Sequence, residues 1–247
     1  MRVISLVPSL TETLIECGVN VVGRTRFCIH PSESVQRIEV VGGTKGINWT
    51  KCQALQPDIL VLDKEENLAK MAEQSPYPWV ATHLQSVDDA PKEFTRLAQE
   101  LESTALIAHA QRWQDVLALP AREGVDWESV PGQITALINH HGDYQRIEYI
   151  IWQDPWMSVA KNTFIGSVLQ RLGFAKFMPE HSQKYPQLES KQMARDDTFY
   201  LFSSEPYRFA RKADQLKRAG FNGAIVDGEL YSWFGVRSLR GLTQYLR

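Results

Sequence analysis

Short apolar runs alternate with stretches of helical periodicity along the first half of the chain. The predicted strands are Val3 to Val7, Asp58 to Asp63 and Trp79 to Thr82. Ser9-Leu10-Thr11-Glu12 follows the first run and fits a capping box, in which Ser9 is the N-cap and Glu12 reaches back to its N–H. Asn48 opens another helix, which is expected to end at Gln56-Pro57. This alternation predicts a parallel sheet covered by helices on both faces.

The second half of the chain repeats the same pattern. Strands are predicted at Ile147 to Trp152, Thr198 to Phe202 and Ala224 to Asp227, with a helix from Thr163 to Leu172 between the first two. Ile134, Leu137 and Ile138 suggest one or two further turns of helix. Two α/β lobes are therefore expected.

Between them, Asp88 to Leu119 has the periodicity of a helix with little interruption. Pro91 suits the first turn of that helix, and Ser103-Thr104 can cap a second one. At about 1.5 Å per residue, residues 103–119 would span roughly 25 Å. We predict an N-terminal α/β lobe (residues 1–87), a connecting backbone helix region (88–124) and a C-terminal α/β lobe (125–247).

Composition excludes several classes of partner. The chain has 247 residues, 43% of them hydrophobic, and a formal net charge of −2, which gives no reason to expect nucleic acid or an anionic membrane. Cys17, Cys28 and Cys52 lack metal-ligand spacing and are expected to be reduced thiols. The first residues lack the pattern of a signal peptide, which predicts a cytoplasmic protein as written, or a periplasmic one if the start is truncated or misassigned. A monomer is expected.

Four motifs carry a resemblance to a known family. They are Arg2 to Glu12, Leu55 to Val61, Ala160 to Ile165 and Trp233-Phe234. In order and spacing they resemble the cobalamin- and siderophore-binding proteins of ABC importers, the helical-backbone metal receptors or class III substrate-binding proteins. The resemblance covers most of the chain apart from residues 125–143. It implies two Rossmann-like lobes with parallel sheets, joined by a long backbone α-helix, with a ligand cleft between the lobes.

The resemblance also implies partners. The ligand would be a small-molecule metal chelate, and an ABC permease would receive it. The docking glutamates of the family, one per lobe, fall near Thr50-Lys51 and near Glu189, and only the second neighbourhood keeps an acid. The sequence therefore keeps only one of the two acidic positions that the family uses to dock to a permease.

Ligand-binding residues are expected just beyond the carboxyl ends of the strands, where ligands bind in open parallel sheets. Aromatic rings there offer apolar area for a large planar ligand. The candidates are Phe27, Trp152, Trp156, Tyr185, Trp233 and Phe234, with the cations Arg26 and Lys161. The alternative is that several of these rings lie in the core, and Trp152, at the end of an apolar strand, is one of them. The cations suggest an anionic ligand such as a ferric siderophore, with solvated surface charge as the alternative for each.

The resemblance assigns some of these positions directly. Phe27, Tyr185 and Trp233 fall where a cobalamin-binding protein contacts its ligand. Lys45 and Asp63 fall where that protein has tryptophans, so part of its aromatic cage is missing.

Catalytic motifs are absent from the sequence. It has no G-x-S-x-G elbow, no P-loop and no G-x-G-x-x-G after a strand, so no catalytic residue and no cofactor other than the ligand are predicted. His140-His141 are adjacent and would point apart on a helix. His83 is the one candidate metal ligand or base, with a structural histidine as the alternative.

These observations predict a non-enzymatic substrate-binding protein for a metal chelate or tetrapyrrole-like ligand. A cobalamin-like ligand comes first, and a ferric siderophore or haem second. The alternative is a cytosolic ligand sensor or an enzyme that reuses the fold without a role in transport.

Overall fold

Residues 1–137 and 144–247 are described by a computed structural model, in which the chain forms two units. Unit 1 comprises Met1–Leu84, Asp88–Leu117 and Phe234–Leu239, and unit 2 comprises Gln85–Val87, Ala118–Trp233 and Arg240–Arg247. Each unit contains one mainly parallel sheet with helices, which confirms the predicted α/β class. Among the described residues, no helix combines the length and apolarity needed to cross a membrane.

Unit 1 is built on a six-stranded sheet of order β4-β3-β2-β1-β5-β6, parallel except for the β3–β4 pair. The strands are β1 (Val3–Ser5), β2 (Val21–Thr25), β3 (Glu39–Gly43), β4 (Gly46–Ile47), β5 (Ile59–Asp63) and β6 (Trp79–Thr82). The helices are α1 (Pro8–Glu16), α2 (Ser32–Val35), α3 (Trp49–Leu55), α4 (Ala69–Glu73), α5 (Ala90–Glu100) and α6 (Thr104–Leu117). Side chains from β1, β3, β5, α3 and α4 form a core cluster on one face of this sheet.

The predicted capping box at the start of α1 is wrong. The helix begins at Pro8, and its N-cap is Val7, two residues before the predicted Ser9, which makes no side-chain bond as a cap. Proline suits this position because its missing N–H is not needed in the first turn. Glu12 is buried and accepts two hydrogen bonds from Arg237, from Nε at 2.6 Å and from Nη2 at 2.9 Å. By contrast, Asn48 caps α3 as predicted, accepting from the Lys51 N–H at 3.1 Å.

The central segment holds two helices, and the second begins at the predicted cap, Ser103-Thr104. It is interrupted after α5, where Glu102 takes a left-handed φ of 50°, and α6 follows with the Ser103 hydroxyl accepting from the Leu106 N–H at 3.3 Å. The two helices pack on each other in unit 1. His109 of α6 lies edge-on to Phe94 of α5, with ring centroids 4.5 Å apart.

Unit 2 is built on a four-stranded sheet of order β7-β12-β11-β8, in which only β7 is antiparallel. The strands are β7 (Gln133–Ala136), β8 (Arg146–Ile150), β11 (Thr198–Ser203) and β12 (Gly223–Val226), with a separate ribbon of β9 (Trp156–Met157) and β10 (Gln187–Leu188). The helices are α7 (Phe164–Leu169), α8 (Ala213–Arg218), α9 (Gly228–Ser232) and α10 (Val236–Leu246). The residues of α10 are divided between the two units.

The helix predicted around Ile134 and Leu137 is wrong. Residues Gln133–Ala136 form β7, which pairs with β12 at the edge of the sheet. Backbone pairing with a distant strand has overridden a local spacing that suited a helix. Ile138 and the pair His140-His141 lie outside the described residues.

Candidate functional site

The carboxyl edge of the unit 1 sheet has a topological switch point between β1 and β5. The chain continues from β1 to β2 on one side and from β5 to β6 on the other, which opens a crevice between neighbouring strand ends. Asn67 lies there. Its Nδ2 donates to the carbonyl oxygens of Leu6 at 3.2 Å and Thr44 at 2.9 Å, and its Oδ1 accepts from the Asp63 N–H at 2.9 Å. One buried amide therefore holds three loops of this edge together.

Asp63, at the end of β5, is buried beneath the same edge. Its Oδ1 accepts the N–H groups of Glu65 at 2.9 Å and Glu66 at 3.2 Å, and its Oδ2 accepts the Thr82 hydroxyl at 2.8 Å. Burial raises the pKa of Asp63, and these hydrogen bonds oppose the rise. Where the resemblance implied a tryptophan of a ligand cage, the carboxylate closes a turn instead.

The end of β2 presents a cation next to an aromatic ring. Phe27 is 48% exposed, and the Arg26 guanidinium carbon lies 5.0 Å from its ring centroid. The turn that carries them is held by the Phe27 N–H, which donates to the Thr25 hydroxyl at 3.2 Å. We call Arg26 and Phe27 the unit 1 edge pair. Both line a pocket of about 780 Å³ that continues along β3 and β4 to Lys51.

Lys45 and His83 are held by other groups at this edge. The Lys45 ammonium donates to the carbonyl oxygens of Glu65 at 3.3 Å and Glu66 at 2.6 Å. Burial and the Asp63 charge raise the pKa of Glu66, and Lys45 opposes them, so a carboxylate already lies near this cation. His83 is half-buried after β6, and its backbone N–H, not its ring, donates to Glu93 Oε2 at 3.1 Å. In the part of the chain that the structure describes, no three His, Cys, Asp or Glu side chains group around a metal position.

The carboxyl edge of the unit 2 sheet carries a second cation–aromatic group. Trp152 follows β8, is 41% exposed, and lies edge-on to Tyr207 with ring centroids 5.3 Å apart. Gln153 Oε1 accepts hydrogen bonds from the Tyr207 hydroxyl at 3.2 Å and from Lys212 Nζ at 2.8 Å. The same ammonium lies 4.9 Å from the Tyr207 ring centroid. We call Trp152, Gln153, Tyr207 and Lys212 the unit 2 edge cluster.

Trp156 lies in the core and not on this surface. It is 9% exposed and stacks on Phe209, with an interplanar angle of 6° and centroids 6.3 Å apart. Phe209 in turn contacts Tyr207, with centroids 4.5 Å apart. The prediction treated Trp156 as a surface residue, whereas its burial places it beneath the edge cluster, where it supports Tyr207 through Phe209.

The segment that carries Tyr185 runs beside β9. It is held by the N–H groups of Ser158 and Ala160, which donate to the carbonyl oxygens of Pro186 at 3.0 Å and Lys184 at 2.8 Å. Tyr185 itself is 41% exposed. Lys161 forms an ion pair with Glu180, so its charge is compensated within the protein.

A buried carboxylate fixes the start of this segment. Glu148 of β8 accepts hydrogen bonds from the Ser158 hydroxyl at 2.6 Å, His181 Nε2 at 3.2 Å and Arg146 Nη2 at 2.6 Å. Burial by itself would raise the pKa of Glu148, but the hydrogen bonds from His181, Ser158 and Arg146 outweigh it and hold the pKa below its ordinary value. The ionised carboxylate therefore links β8 to the loop that leads to Tyr185.

Trp233 and Phe234 follow a short helix. Asp227 caps that helix, α9, by accepting the Glu229 N–H at 3.0 Å, and Trp233 ends it. Trp233 is half-buried and belongs to unit 2, whereas Phe234 is 7% exposed and belongs to unit 1. Their adjacency in sequence therefore does not place the two rings on one surface of one unit.

Sequence reasoning missed four residues at these edges. They are Asn67, Gln153, Tyr207 and Lys212. Tyr207 and Lys212 lie four and nine residues beyond the end of β11. The prediction considered only the residues that directly follow each strand, so it did not include these two.

Comparison of the sequence with known protein families identifies the family to which the chain belongs. The family described as "Periplasmic binding protein" matches residues 3–220. The chain belongs to this family, and the predicted resemblance to the helical-backbone metal receptors is confirmed. A comparison with curated proteins found no match.

Solved structures with the same fold include three that bind large metal chelates. The periplasmic vitamin B12 binding protein BtuF of Vibrio cholerae is 18% identical, with a TM-score of 0.66 over 99% of this chain and 96% of that chain. A periplasmic heme-binding protein from Pseudomonas aeruginosa is 19% identical, with a TM-score of 0.69 over 99% and 91%. IsdE of S. aureus, complexed with heme, is 10% identical, with a TM-score of 0.70 over 99% and 97%. At these identities the likeness concerns the fold.

Proposed function

We propose that this protein binds a metal chelate or tetrapyrrole-like ligand and delivers it to an ABC importer. The observation that carries the proposal is the family match over residues 3–220. It is supported by rings exposed at the carboxyl edge of each sheet, Phe27 in unit 1 and Trp152 in unit 2, with Tyr185 also exposed in unit 2. Such rings suit a flat, largely apolar ligand because they offer apolar area on which it can stack.

The choice of ligands follows from the proteins of the same fold. One binds vitamin B12 and two bind heme, and both ligands are large metal chelates with a planar macrocycle. Cyanocobalamin, hemin and ferric siderophores therefore form the first screen. A ligand that binds only the folded state at one hundred times its Kd should stabilise it by about 2.7 kcal/mol, which a thermal shift detects.

The matched variants are Phe27→Ala and Trp79→Ala. Both rings are about half exposed in unit 1, Phe27 at 48% and Trp79 at 49%, but Trp79 belongs to β6, at the start of the strand. Phe27→Ala should reduce the ligand-induced shift, and Trp79→Ala should leave it unchanged. Equal effects of the two substitutions, or no stabilisation by any chelate in the screen, would contradict the proposal.

Transport and location are part of the same proposal. A receptor for an importer acts outside the cytoplasm, whereas the alternative, a cytosolic sensor or an enzyme, acts inside it. The resemblance assigns permease docking to residues near Lys51 and near Glu189. Each of these regions contains an exposed ion pair, Lys51–Glu39 at 2.6 Å and Lys191–Glu189 at 2.7 Å. Fractionation of cells that express the native gene distinguishes the locations. Recovery of the bound chelate without chemical change, checked by mass spectrometry, distinguishes binding from catalysis.

A further inference from the structure

We infer that unit 2 carries a further binding site, which takes a small uncharged molecule with a carbonyl oxygen on an apolar body. The site is a cavity of about 190 Å³ at the amino edge of the unit 2 sheet, where β8 and β11 begin. Trp152 lies at the other edge, after the end of β8. All the lining residues belong to unit 2, and none of them is a candidate for binding the chelate.

The floor of the cavity comes from the first residues of two neighbouring parallel strands. Arg146 and Glu148 of β8 are paired in register with Thr198 and Tyr200 of β11. Residues two apart in a strand point to the same face of the sheet, so these four side chains share one face. All four line the cavity, and Glu148, Thr198 and Tyr200 are buried. Regular strand pairing therefore fixes the floor.

The remaining walls come from β10 and the segment before β11. Leu188 and Met193 are apolar, and both pack against the aromatic core cluster on this face of the sheet. Arg195 completes the wall, and its backbone N–H donates to the Tyr200 hydroxyl at 3.3 Å. The cavity therefore has an apolar side and a polar side, the combination that fixes the orientation of a small ligand.

The charges on the polar side cancel. Arg146 pairs with Glu148 at 2.6 Å, and Arg195 pairs with Asp197 at 2.7 Å. Both carboxylates are ionised at neutral pH because their pKa values lie below the ordinary range. Burial raises the pKa of Tyr200, so its hydroxyl keeps its proton and adds no charge. An ionic ligand would lose its hydration here without meeting a net opposite charge, which disfavours anions and cations alike.

The hydrogen-bonding groups that remain available at the wall are donors. Each carboxylate oxygen of Glu148 already has two partners, Arg146 Nε and Nη2 at Oε1 and the side chains of Ser158 and His181 at Oε2. A guanidinium carries five N–H donors. Arg146 and Arg195 use only Nε and Nη2 in their ion pairs, so Nη1 of each has no bond to any residue that the structure describes. The cavity therefore suits a ligand with an acceptor oxygen and offers little to an amine.

The volume limits the apolar body of the ligand. A cavity of about 150 Å³ holds benzene. At about 190 Å³, this cavity has room for one ring of that size with a short polar substituent, and a tetrapyrrole cannot enter it. The ligand class is therefore a ketone, ester or lactone of roughly ten non-hydrogen atoms or fewer. The inference stands apart from the proposed function, because it concerns a different cavity and a different size of ligand.

The test compares three probes of nearly equal size at constant ionic strength and neutral pH: acetophenone, which is uncharged, benzoate, which is an anion, and benzylamine, which is a cation. Binding is followed by NMR of the whole chain labelled with ¹³C at its methionine methyl groups. Met193 lines the cavity, whereas Met71 belongs to the core of unit 1 and serves as the internal control. Acetophenone should shift the Met193 signal saturably, with a Kd near about 1 mM, and leave the Met71 signal in place. It should bind about tenfold more tightly than either ion.

Arg195→Met tests the donor in the wall. The Arg195 side chain is 56% exposed, so its loss should leave the fold intact, which a thermal melt checks. The variant should bind acetophenone about fivefold more weakly, because one hydrogen-bond donor is lost. Arg211→Met removes another exposed arginine of unit 2, outside the cavity, and should have no effect. A Met193 signal that does not move, or benzoate or benzylamine binding as tightly as acetophenone, would overturn the inference. The screen with chelates would be unaffected by either result.

Discussion

Glu148→Gln tests whether the buried carboxylate of unit 2 works through its charge. The substitution keeps the shape of the side chain and one oxygen acceptor. Ser158 and His181 both contact Oε2 and would lose a charged acceptor, and the Arg146 pair would lose its Coulomb attraction. The Glu148 side chain is 5% exposed and His181 10%, so water cannot replace these bonds, whereas Arg146 is 41% exposed.

These exposures set the magnitude. A hydrogen bond to a charged group is worth about 1.5–3 kcal/mol, and a pair with an exposed partner less than about 1 kcal/mol. Because glutamine keeps part of the network, we expect Glu148→Gln to cost about 2–4 kcal/mol at neutral pH. Urea denaturation of both proteins measures this difference.

The pH dependence provides the sharper test. The folded-state pKa of Glu148 lies below its ordinary value, so the folded protein holds this carboxyl ionised more strongly than the unfolded chain does. The stabilisation is fully present above the unfolded pKa of about 4.3, and it is lost as pH falls through the folded pKa. The cost of Glu148→Gln should therefore shrink at acid pH.

Asp197→Asn is the matched control. Hydrogen bonds from Arg195 and Thr198 lower the pKa of Asp197 to about 2, but the side chains of the Asp197–Arg195 pair are 42% and 56% exposed. Screening by water should limit this cost to less than about 1 kcal/mol. A cost for Glu148→Gln that is independent of pH, or smaller than that for Asp197→Asn, would refute the reasoning.

Two further predictions concern binding and packing. Trp233→Ala should weaken ligand binding by about 1–3 kcal/mol and barely change the melting temperature of the ligand-free protein. Calorimetric titration measures the binding, and a thermal melt measures the stability. A destabilised protein that binds normally when folded would place the site elsewhere. Gly223→Ala should lower the free energy of unfolding by more than about 3 kcal/mol, because the added Cβ would lie 2.0 Å from the Tyr200 carbonyl oxygen at a φ of +156°. Gly18→Ala, with a φ of +71° and open space around it, should lower it by only about 1–2 kcal/mol. Urea denaturation measures both differences.

The strands were predictable because buried parallel strands are short apolar runs with few alternatives. β5 was expected at Asp58 to Asp63 and runs Ile59–Asp63, and β6 matches its prediction at Trp79–Thr82. The capping box failed for a reason that no local pattern contains. The partner of Glu12 is Arg237, 225 residues away, and it draws the carboxylate away from the helix start.

The candidate site was less predictable than the fold. The rule that ligand-binding rings lie near strand ends selected Phe27, Trp152 and Tyr185, all of which are exposed. The same rule also selected Trp156, which is buried, because a ring after a strand can turn to the core as readily as to the surface. Which way it turns depends on the ribbon β9–β10, and a two-residue pairing leaves almost no periodicity in the sequence.

The difference between fold and site has a physical basis that bears on ligand selection. The groups that would select a ligand lie on loops beyond strand ends, Arg26 after β2, Trp152 after β8 and Lys212 in the turn before α8. Loop residues tolerate substitution because few core contacts depend on them. Asn67 and Glu148, by contrast, are buried and fix the loops from beneath. A protein built in this way can change residues at its strand ends while the buried framework stays the same, so fold similarity leaves the identity of the ligand open.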